Sequence, residues 1–436
     1  MSFDIRLLCL FLAVIAIGIF PAKAEAAPQE LGLNAHQSAD VGMDVAKAAK
    51  VKWVRLDFNW TDLEPSSGTF NFAPFDALVS AATSHGKQVL AVLAYAPAWA
   101  SSGDTKGDGT NNDVPADGAY AAFVTAVVTH FKSNVTHYEL WNEPNLTQFF
   151  EGSTSDYTSR ILVPGADALH AACASCSVVA PAVASVGSAY DTWLDASLTA
   201  AQSKIDIVSG HIYAPFQSED STAGLTADGF FNKLEAHRIV QIGGVTVFEG
   251  PKSYREVMLA HTCNAPFWLT ETGLGAATTD DAALTAQATR YTNTLEAMNG
   301  RAWWTSTIFY EAFDEPGTGN TFGVSLHNTS NALGYDAKPA LGILSSWVFP
   351  PSGSDAGVFL DGGTGFSGTA SNDAGMPLDA GAENGDGKAT SNGNTSNSDG
   401  SSGCSVARAD ADPACFLGVT LIAFSLRRSR RRRRPR

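Results

Sequence analysis

The sequence predicts an α/β fold of the (β/α)8 TIM-barrel type, as a single domain followed by a disordered C-terminal stalk. Three observations point there. Between Leu31 and Val348, eight short runs rich in Val, Ile and aromatic residues alternate with helical segments. Repeated strand–helix–strand units of this kind build a parallel sheet. No Gly-rich phosphate turn follows an early strand, as an open doubly wound sheet would want. The fourth and seventh runs each carry a glutamate at their end, and functional side chains of a barrel collect at the C-terminal ends of its strands.

The eight runs are Leu31–His36, Trp53–Trp60, Gln88–Tyr95, Thr136–Glu143, Ser177–Ala184, Ile205–Tyr213, Phe267–Gly273 and Trp303–Phe313. Most are bounded by Gly, Pro, Asn or Asp, which favour turns. The fourth stops at Pro144, a residue with no N–H to give to a ladder. Between the runs, Ala119–Phe131 and Ala283–Met298 repeat apolar residues at helical spacing. Asp280 and Asp281 place negative charge where the second of these helices starts, as its dipole favours. Tyr335–Trp347 supplies a final helix.

The chain has 436 residues, enough for one large α/β domain with appendages. Its formal net charge is -16, and the last ten residues hold eight arginines and no acid, so the rest sits near -24 (-16 less 8). An acidic body repels phosphates and argues against a nucleic-acid partner; the terminal arginine run is the exception, and its position suggests targeting. Residues 1–26 read as a signal peptide. Arg6 precedes an apolar stretch, Leu7–Phe20, and Ala22-Lys23-Ala24 and Ala24-Glu25-Ala26 offer small-residue cleavage sites. The stretch falls short of the ~20 residues of a membrane span, so export is expected. Of the six cysteines, Cys9 lies in this segment and Cys404 and Cys415 near the other end. Cys173 and Cys176 form a C-x-x-C that reads as a redox pair, half a zinc site or a local disulfide. No second such pair and no paired histidines support zinc, and export favours the disulfide. Cys263 is then free or competes for Cys176.

The barrel domain is expected over 27–350. Residues 351–403 are mostly Gly, Ser, Asp, Asn, Ala and Thr, a linker that cannot bury a core. Residues 404–436 hold Cys404, a short apolar run from Cys415 to Leu426, and the arginine cluster. This tail resembles the MYXO-CTERM sorting tail of myxobacterial surface proteins, with a polar spacer that the usual pattern lacks. The resemblance implies processing and surface attachment. A plain membrane anchor with arginines on the inner side gives nearly the same location.

Two stretches carry the chemistry. Tyr138-Glu139-Leu140-Trp141-Asn142-Glu143-Pro144-Asn145 ends with an amide and a carboxyl side by side, and Phe267–Gly273 ends with Glu271. Glycoside hydrolysis needs two such carboxyls, one a protonated acid and one an ionised base or nucleophile. Trp141-Asn142-Glu143-Pro144 resembles the Asn-Glu-Pro motif of clan A glycoside hydrolases. Val54-Arg55-Leu56-Asp57-Phe58-Asn59-Trp60, with Leu63-Glu64-Pro65 and Gly68-Thr69-Phe70-Asn71-Phe72, is similar to the second-strand region of family 39 and related family 5 members. His211-Ile212-Tyr213 and Thr270-Glu271-Thr272-Gly273 continue the likeness, which covers residues 30–347. Around Tyr95 and Pro97-Ala98-Trp99 the third-strand histidine common in family 5 is missing, which favours family 39.

The resemblance implies a retaining glycosidase that acts on a polysaccharide or oligosaccharide with no cofactor and no metal. Glu143 would be the acid/base, its pKa raised by burial beside Trp141 and near Glu271. Glu271 would be the nucleophile, Asn142 the partner of the sugar 2-hydroxyl and Tyr213 a donor to Glu271. Arg55 would keep Glu271 ionised, and His211 would complete the polar floor. Arg55 could instead pair with Glu139, which shares the strand face of Glu143, and His211 could be an ordinary core histidine. The aromatic residues Trp60, Trp99, Phe149, Phe150, Phe216, Tyr310 and Phe313 lie at or beyond strand ends, where rings stack on sugars or pack the core, and Trp60, Trp99 and Tyr310 are expected to meet the substrate. Glu311 and Asp314 are further polar candidates. A monomer with a carbohydrate partner is expected, attached to membrane or cell surface through the tail. The rival function is a non-catalytic carbohydrate-binding surface protein on the same barrel. The Glu143/Glu271 pair beside Asn142 argues against it.

Overall fold

The computed structural model describes residues 28–101, 111–186, 189–216, 228–236, 238–242, 245–314 and 319–349. The expected signal segment, the 351–403 linker and the 404–436 tail lie outside these residues. Eight parallel strands close into a barrel: β1 (Glu30–His36), β2 (Trp53–Asn59), β3 (Gln88–Ala94), β4 (His137–Leu140), β5 (Ser177–Ala184), β6 (Ile207–His211), β9 (Phe267–Thr272) and β10 (Trp304–Phe309). The hairpin β7 (Arg238–Ile242) and β8 (Val245–Glu249) interrupts the crossover between β6 and β9. A second hairpin, β11 (Ser325–His327) and β12 (Tyr335–Ala337), follows β10. Each barrel strand is followed by a main helix: α1 (Val41–Ala48), α2 (Ala73–Ser84), α3 (Ala119–Phe131), α4 (Val163–Ala172), α5 (Tyr190–Ala201), α6 (Tyr254–Ala260), α7 (Asp281–Met298) and α8 (Pro339–Ser346). No helix among the described residues is long and apolar enough to cross a membrane.

All eight expected strands are present; six end sooner than expected, three of them by two residues or more. The fourth ends at Leu140 rather than Glu143, the sixth at His211 rather than Tyr213, and the eighth at Phe309 rather than Phe313. At the fourth the cause is local: Trp141 and Glu143 take φ of 79° and 43°, which no ladder accommodates. The final helix is also shorter than expected. Tyr335–Ala337 pairs antiparallel with β11, and Pro339 starts the helix in its first turn, where its missing N–H is harmless. Asp280 caps α7, its side chain accepting the Ala283 N–H at 3.0 Å. Cys173 and Cys176 are joined by a disulfide at the end of α4, and Cys263 is a buried free thiol.

The barrel interior is layered by strand alternation. Its floor is an apolar cluster of Trp53, Leu90, Val179, Ile207, Trp268 and Ile308. His137 joins it, 4.6 Å from Trp53 and stacked at 5.3 Å on Trp268, centroid to centroid. Gly32 makes room for this floor, since a Cβ there would meet Ile308 Cγ1 at 2.9 Å and Trp53 Cβ at 3.0 Å. Two residues further along their strands, Asn34, Arg55 and Glu139 are polar and buried. One layer higher come His36 and Asp57, both part-exposed.

The outer faces of the strands pack on the helices. Gly210 of β6 shows how tightly: a Cβ there would lie 2.3 Å from the ring of Tyr254 in α6. That ring is pinned by its hydroxyl, which donates to the Val183 carbonyl at 2.6 Å. Gly210→Ala should therefore destabilise the barrel by about 1–3 kcal/mol or more through overpacking. Urea unfolding checks this, and an unchanged midpoint would contradict the packing described here.

Candidate active site

The site is assembled where strands β2, β4, β6 and β9 end. After Leu140 the chain leaves the sheet, and Trp141 anchors the departure. Its N–H donates to the Leu93 carbonyl at 3.1 Å and its indole Nε1 to the Phe149 carbonyl at 2.9 Å. The ring is fully buried against Tyr95, Tyr120 and Phe150. Glu143 is held by its own N–H, which donates to the Ala182 carbonyl at 3.1 Å. Two left-handed non-glycine residues within three positions cost about 1–3 kcal/mol each, so the surroundings must hold them in place.

Arg55 of β2 connects the groups. It is 2% exposed, and its three nitrogens reach three partners. Nε donates to Glu139 Oε2 at 2.7 Å, Nη1 to Glu271 Oε1 at 2.6 Å and Nη2 to Asn142 Oδ1 at 2.9 Å. Both expected partners of Arg55, Glu139 and Glu271, are thus engaged at once. Asn142 donates through Nδ2 to the Tyr95 hydroxyl at 3.0 Å. The other Glu271 oxygen, Oε2, accepts from the Tyr213 hydroxyl at 2.8 Å. His211 Nδ1 lies 2.8 Å from Glu143 Oε1 and 3.6 Å from Glu271 Oε2. Its ring is buried between the two carboxyls, so it is not a bystander of the core.

The two glutamates are tuned apart. Burial pushes Glu143 above its ordinary 4.5, and nearby Glu271 adds to this; His211 and Arg55 pull the other way and lose. Burial also penalises the charge on Glu271, but His211, Arg55 and the Tyr213 hydroxyl outweigh it and hold Glu271 below 4.5. His211 is raised: burial lowers it, and the two carboxyls win. For Arg55, likewise, Glu139 and Glu271 overcome burial, and the guanidinium stays charged. A carboxyl that holds its proton more tightly than usual, beside one that releases it more easily, suits a pair in which one gives a proton and the other attacks. One oxygen from each, with a His211 nitrogen, lies within 4.8 Å of the others. That trio is compact enough to hold a divalent ion, but the Arg55 guanidinium bonded to Glu271 would repel one.

The aromatic candidates divide. Trp60 is a correction: it is fully buried, stacks on Phe123 at 4.7 Å and donates to Glu64 Oε2 at 2.8 Å, so it belongs to the layer between barrel and helices. Phe149 and Phe150 are buried around Trp141. Phe216 packs on Phe230 and Phe231, and Phe313 on His327. Asp314 is taken up by the buried Lys338 at 2.6 Å. Trp99 stays 38% exposed, its indole N–H on the Glu64 carbonyl at 3.0 Å. Tyr310 is half-buried and edge-on to Tyr213, 6.4 Å away.

Three residues of the site escaped sequence reasoning: Tyr95, His36 and Asp57. The available signal was a polar residue two positions from another in an otherwise apolar strand, as Asp57 stands to Arg55 and His36 to Asn34.

A family model described as Cellulase (glycosyl hydrolase family 5) matches residues 24–309. No curated protein matches the chain. Among solved structures, the chain is similar to a monomeric beta-xylosidase from Caulobacter crescentus CB15. The identity is 18% and the TM-score 0.52, over 74% of this chain and 69% of that one. It is also similar to a GH39 enzyme from Xanthomonas axonopodis pv. citri, at 16% identity and TM-score 0.50, over 74% and 67%. A glucosidase from Croceicoccus marinus gives 16%, 0.50, 74% and 67%. At such identities these likenesses show the barrel fold. The clan A resemblance read from the motifs stands; the family model that matches is that of family 5, whereas the likeness to family 39 is one of fold.

Arg55 generates a stability prediction. Arg55→Met strands Glu139, which is fully buried and whose Oε1 already lacks a partner. Breaking a buried ion pair on one side typically costs about 3–5 kcal/mol. Arg55→Met/Glu139→Gln should recover part of that loss in guanidinium unfolding. No recovery would mean that Glu139 is not the stranded charge.

Proposed function

The chain belongs to the cellulase family, glycosyl hydrolase family 5, and from that premise we propose that it is a retaining glycosidase. It would cleave O-glycosidic bonds in a polysaccharide or oligosaccharide by double displacement. One observation carries this reading: two buried carboxyls, Glu143 and Glu271, with oxygens within 4.8 Å and pKa values driven in opposite directions. Retaining glycosidases hold their carboxyls about 5–5.5 Å apart, whereas inverting ones leave about 6.5–9.5 Å for a water. Retention is what the clan resemblance implies, and oxygens within 4.8 Å of one another are in keeping with it.

In the first step Glu271 attacks the anomeric carbon, and Glu143 passes its proton to the departing glycosidic oxygen. The covalent glycosyl-enzyme is then opened by water, whose proton Glu143 accepts as Glu271 leaves. Arg55 and Tyr213 aim Glu271 by bonding both of its oxygens. The bond between His211 and Glu143 fixes the carboxyl that carries the travelling proton. Asn142, oriented by Arg55 and Tyr95, is placed to meet the 2-hydroxyl, a contact that strengthens as positive charge develops on the sugar. Work outside the cytoplasm is part of the proposal, and the Cys173–Cys176 disulfide supports it, since such bonds persist in oxidising compartments.

Glu143→Gln and Glu271→Gln should each lower kcat by about a hundredfold or more while the fold is kept. Azide should rescue Glu271→Gly as a glycosyl azide, and NMR of the first product should show retained anomeric configuration. Full activity in either Gln variant would falsify the assignment of that residue.

The pH profile of kcat/KM follows from the same pair. Glu271 must be ionised and sits below 4.5, so activity holds until pH falls beneath that value. Glu143 must be protonated and sits above 4.5, so activity declines as pH rises through its raised pKa. A profile whose alkaline limb is unchanged in a slow Glu143 variant would assign that limb to another group.

A further inference from the structure

Above the catalytic pair lies a second row of polar groups. His36 ends β1 and Asp57 sits two residues beyond Arg55 on β2, both on the inner face. His36 Nδ1 is 2.8 Å from Asp57 Oδ2, and its Nε2 is 2.7 Å from Glu311 Oε2. Glu311 is buried and its Oε1 accepts from Asn320 at 2.7 Å. The side chains of His36 and Asp57 remain 29% and 27% exposed. The row adjoins the pair: the His36 ring is edge-on to Tyr310 at 5.4 Å, and Tyr310 to Tyr213, whose hydroxyl bonds Glu271.

Resting on the glycosidase reading, we propose that this row sets substrate specificity: Asp57, held in place by His36 and Glu311, binds hydroxyls of a neutral sugar and turns away a uronic acid. Asp57 Oδ2 is engaged by His36, which leaves Oδ1 as an acceptor on a side chain that is part-exposed. A carboxylate accepts hydrogen bonds from hydroxyls, often from two neighbouring ones at once. Both imidazole nitrogens of His36 meet carboxylates, so the ring can turn neither way without losing one, and Asp57 inherits that rigidity.

The rejection of uronic acids follows from the charges. The inner face carries the carboxyls Glu139, Glu143, Glu271, Asp57 and Glu311 against one guanidinium and two imidazoles. Each of those cations is already committed: Arg55 to Glu139 and Glu271, His36 to Asp57 and Glu311, and His211 to Glu143. Among the described residues, a substrate carboxylate placed here would meet carboxylates without an uncommitted cation to neutralise it, and unpaired like charges are what discriminates between otherwise similar ligands. A sugar with only hydroxyls meets acceptors it can satisfy.

The test uses the full chain with xylan, glucomannan and mixed-linkage β-glucan as neutral glycans, and polygalacturonate, alginate and hyaluronan as uronates, scored by reducing ends released. The expected result is turnover in the neutral set, at least a hundredfold faster than on any uronate. On the preferred neutral glycan, Asp57→Asn should raise KM about tenfold with kcat changed only a few-fold, and should narrow the preference for neutral over uronate chains. His36→Gln should raise KM in the same way, and it should also move the acid limb of the profile upward, because its charge helps hold Glu271 ionised. Faster turnover of a polyuronate, or an unchanged KM in Asp57→Asn and in Asp57→Ser, overturns the inference and leaves the glycosidase reading intact. No turnover on any glycan overturns both.

Discussion

Everything at the mouth of this barrel depends on one guanidinium. Arg55 is buried with its charge, which is unfavourable unless that charge is met, and it is met from strands β4 and β9 and from the turn after β4. The planar fork of an arginine suits this, because its donors diverge in fixed directions. Lysine could bring one charge to the same place but could not orient three acceptors. The ionised state of Glu271, the direction of Asn142 and the burial of Glu139 follow from it together. Polar groups of this kind belong above the apolar floor of Trp53, Trp268 and Ile308, since there alone strand alternation turns them toward one another.

The turn after β4 supplies what the regular sheet cannot. A strand presents every second residue to the interior, yet Asn142 and Glu143 are adjacent in sequence and both face the site. Left-handed backbone at Trp141 and Glu143 breaks the alternation. The indole of Trp141, fully buried and hydrogen-bonded, supplies the packing that holds the break open. Strain and anchor are thus neighbours in the chain. The same turn positions Asn142, which meets both Arg55 and Tyr95.

Much of this was legible in the sequence. The strands announce themselves by β-branched and aromatic runs, and their order alone gives the barrel. Their ends were harder to read, because the residues that matter chemically are those that leave the ladder. Tyr335–Ala337 looked like the start of a helix until Pro339 fixed the start four residues later. Trp60 was misread because a tryptophan at a strand end has two layers to choose from, and the stacking on Phe123 decides for the outer one. Arg55 was read as facing Glu139 or Glu271; how many acceptors converge on one donor is a fact of three dimensions. His36 and Asp57 were passed over because polar residues alternating along a strand also read as its solvated face.

The histidines on the inner wall divide the acid–base behaviour of the barrel between its two ends. At the floor His137 is pressed between Trp53 and Trp268, and burial lowers its pKa from 6.5 to about 4. It resists protonation when folded, so as pH falls from 6.5 toward 4 the unfolded chain gains the proton first and stability declines. At the mouth His36 and His211 are raised by their carboxylates, although burial opposes it. Their contribution is full below 6.5 and fades as pH climbs through the raised values. Among these histidines, the one at the floor loses stability in acid and the two at the mouth in alkali. The two histidine contributions therefore sit at opposite ends of the barrel, and a substitution at His137 would alter the first without touching the second.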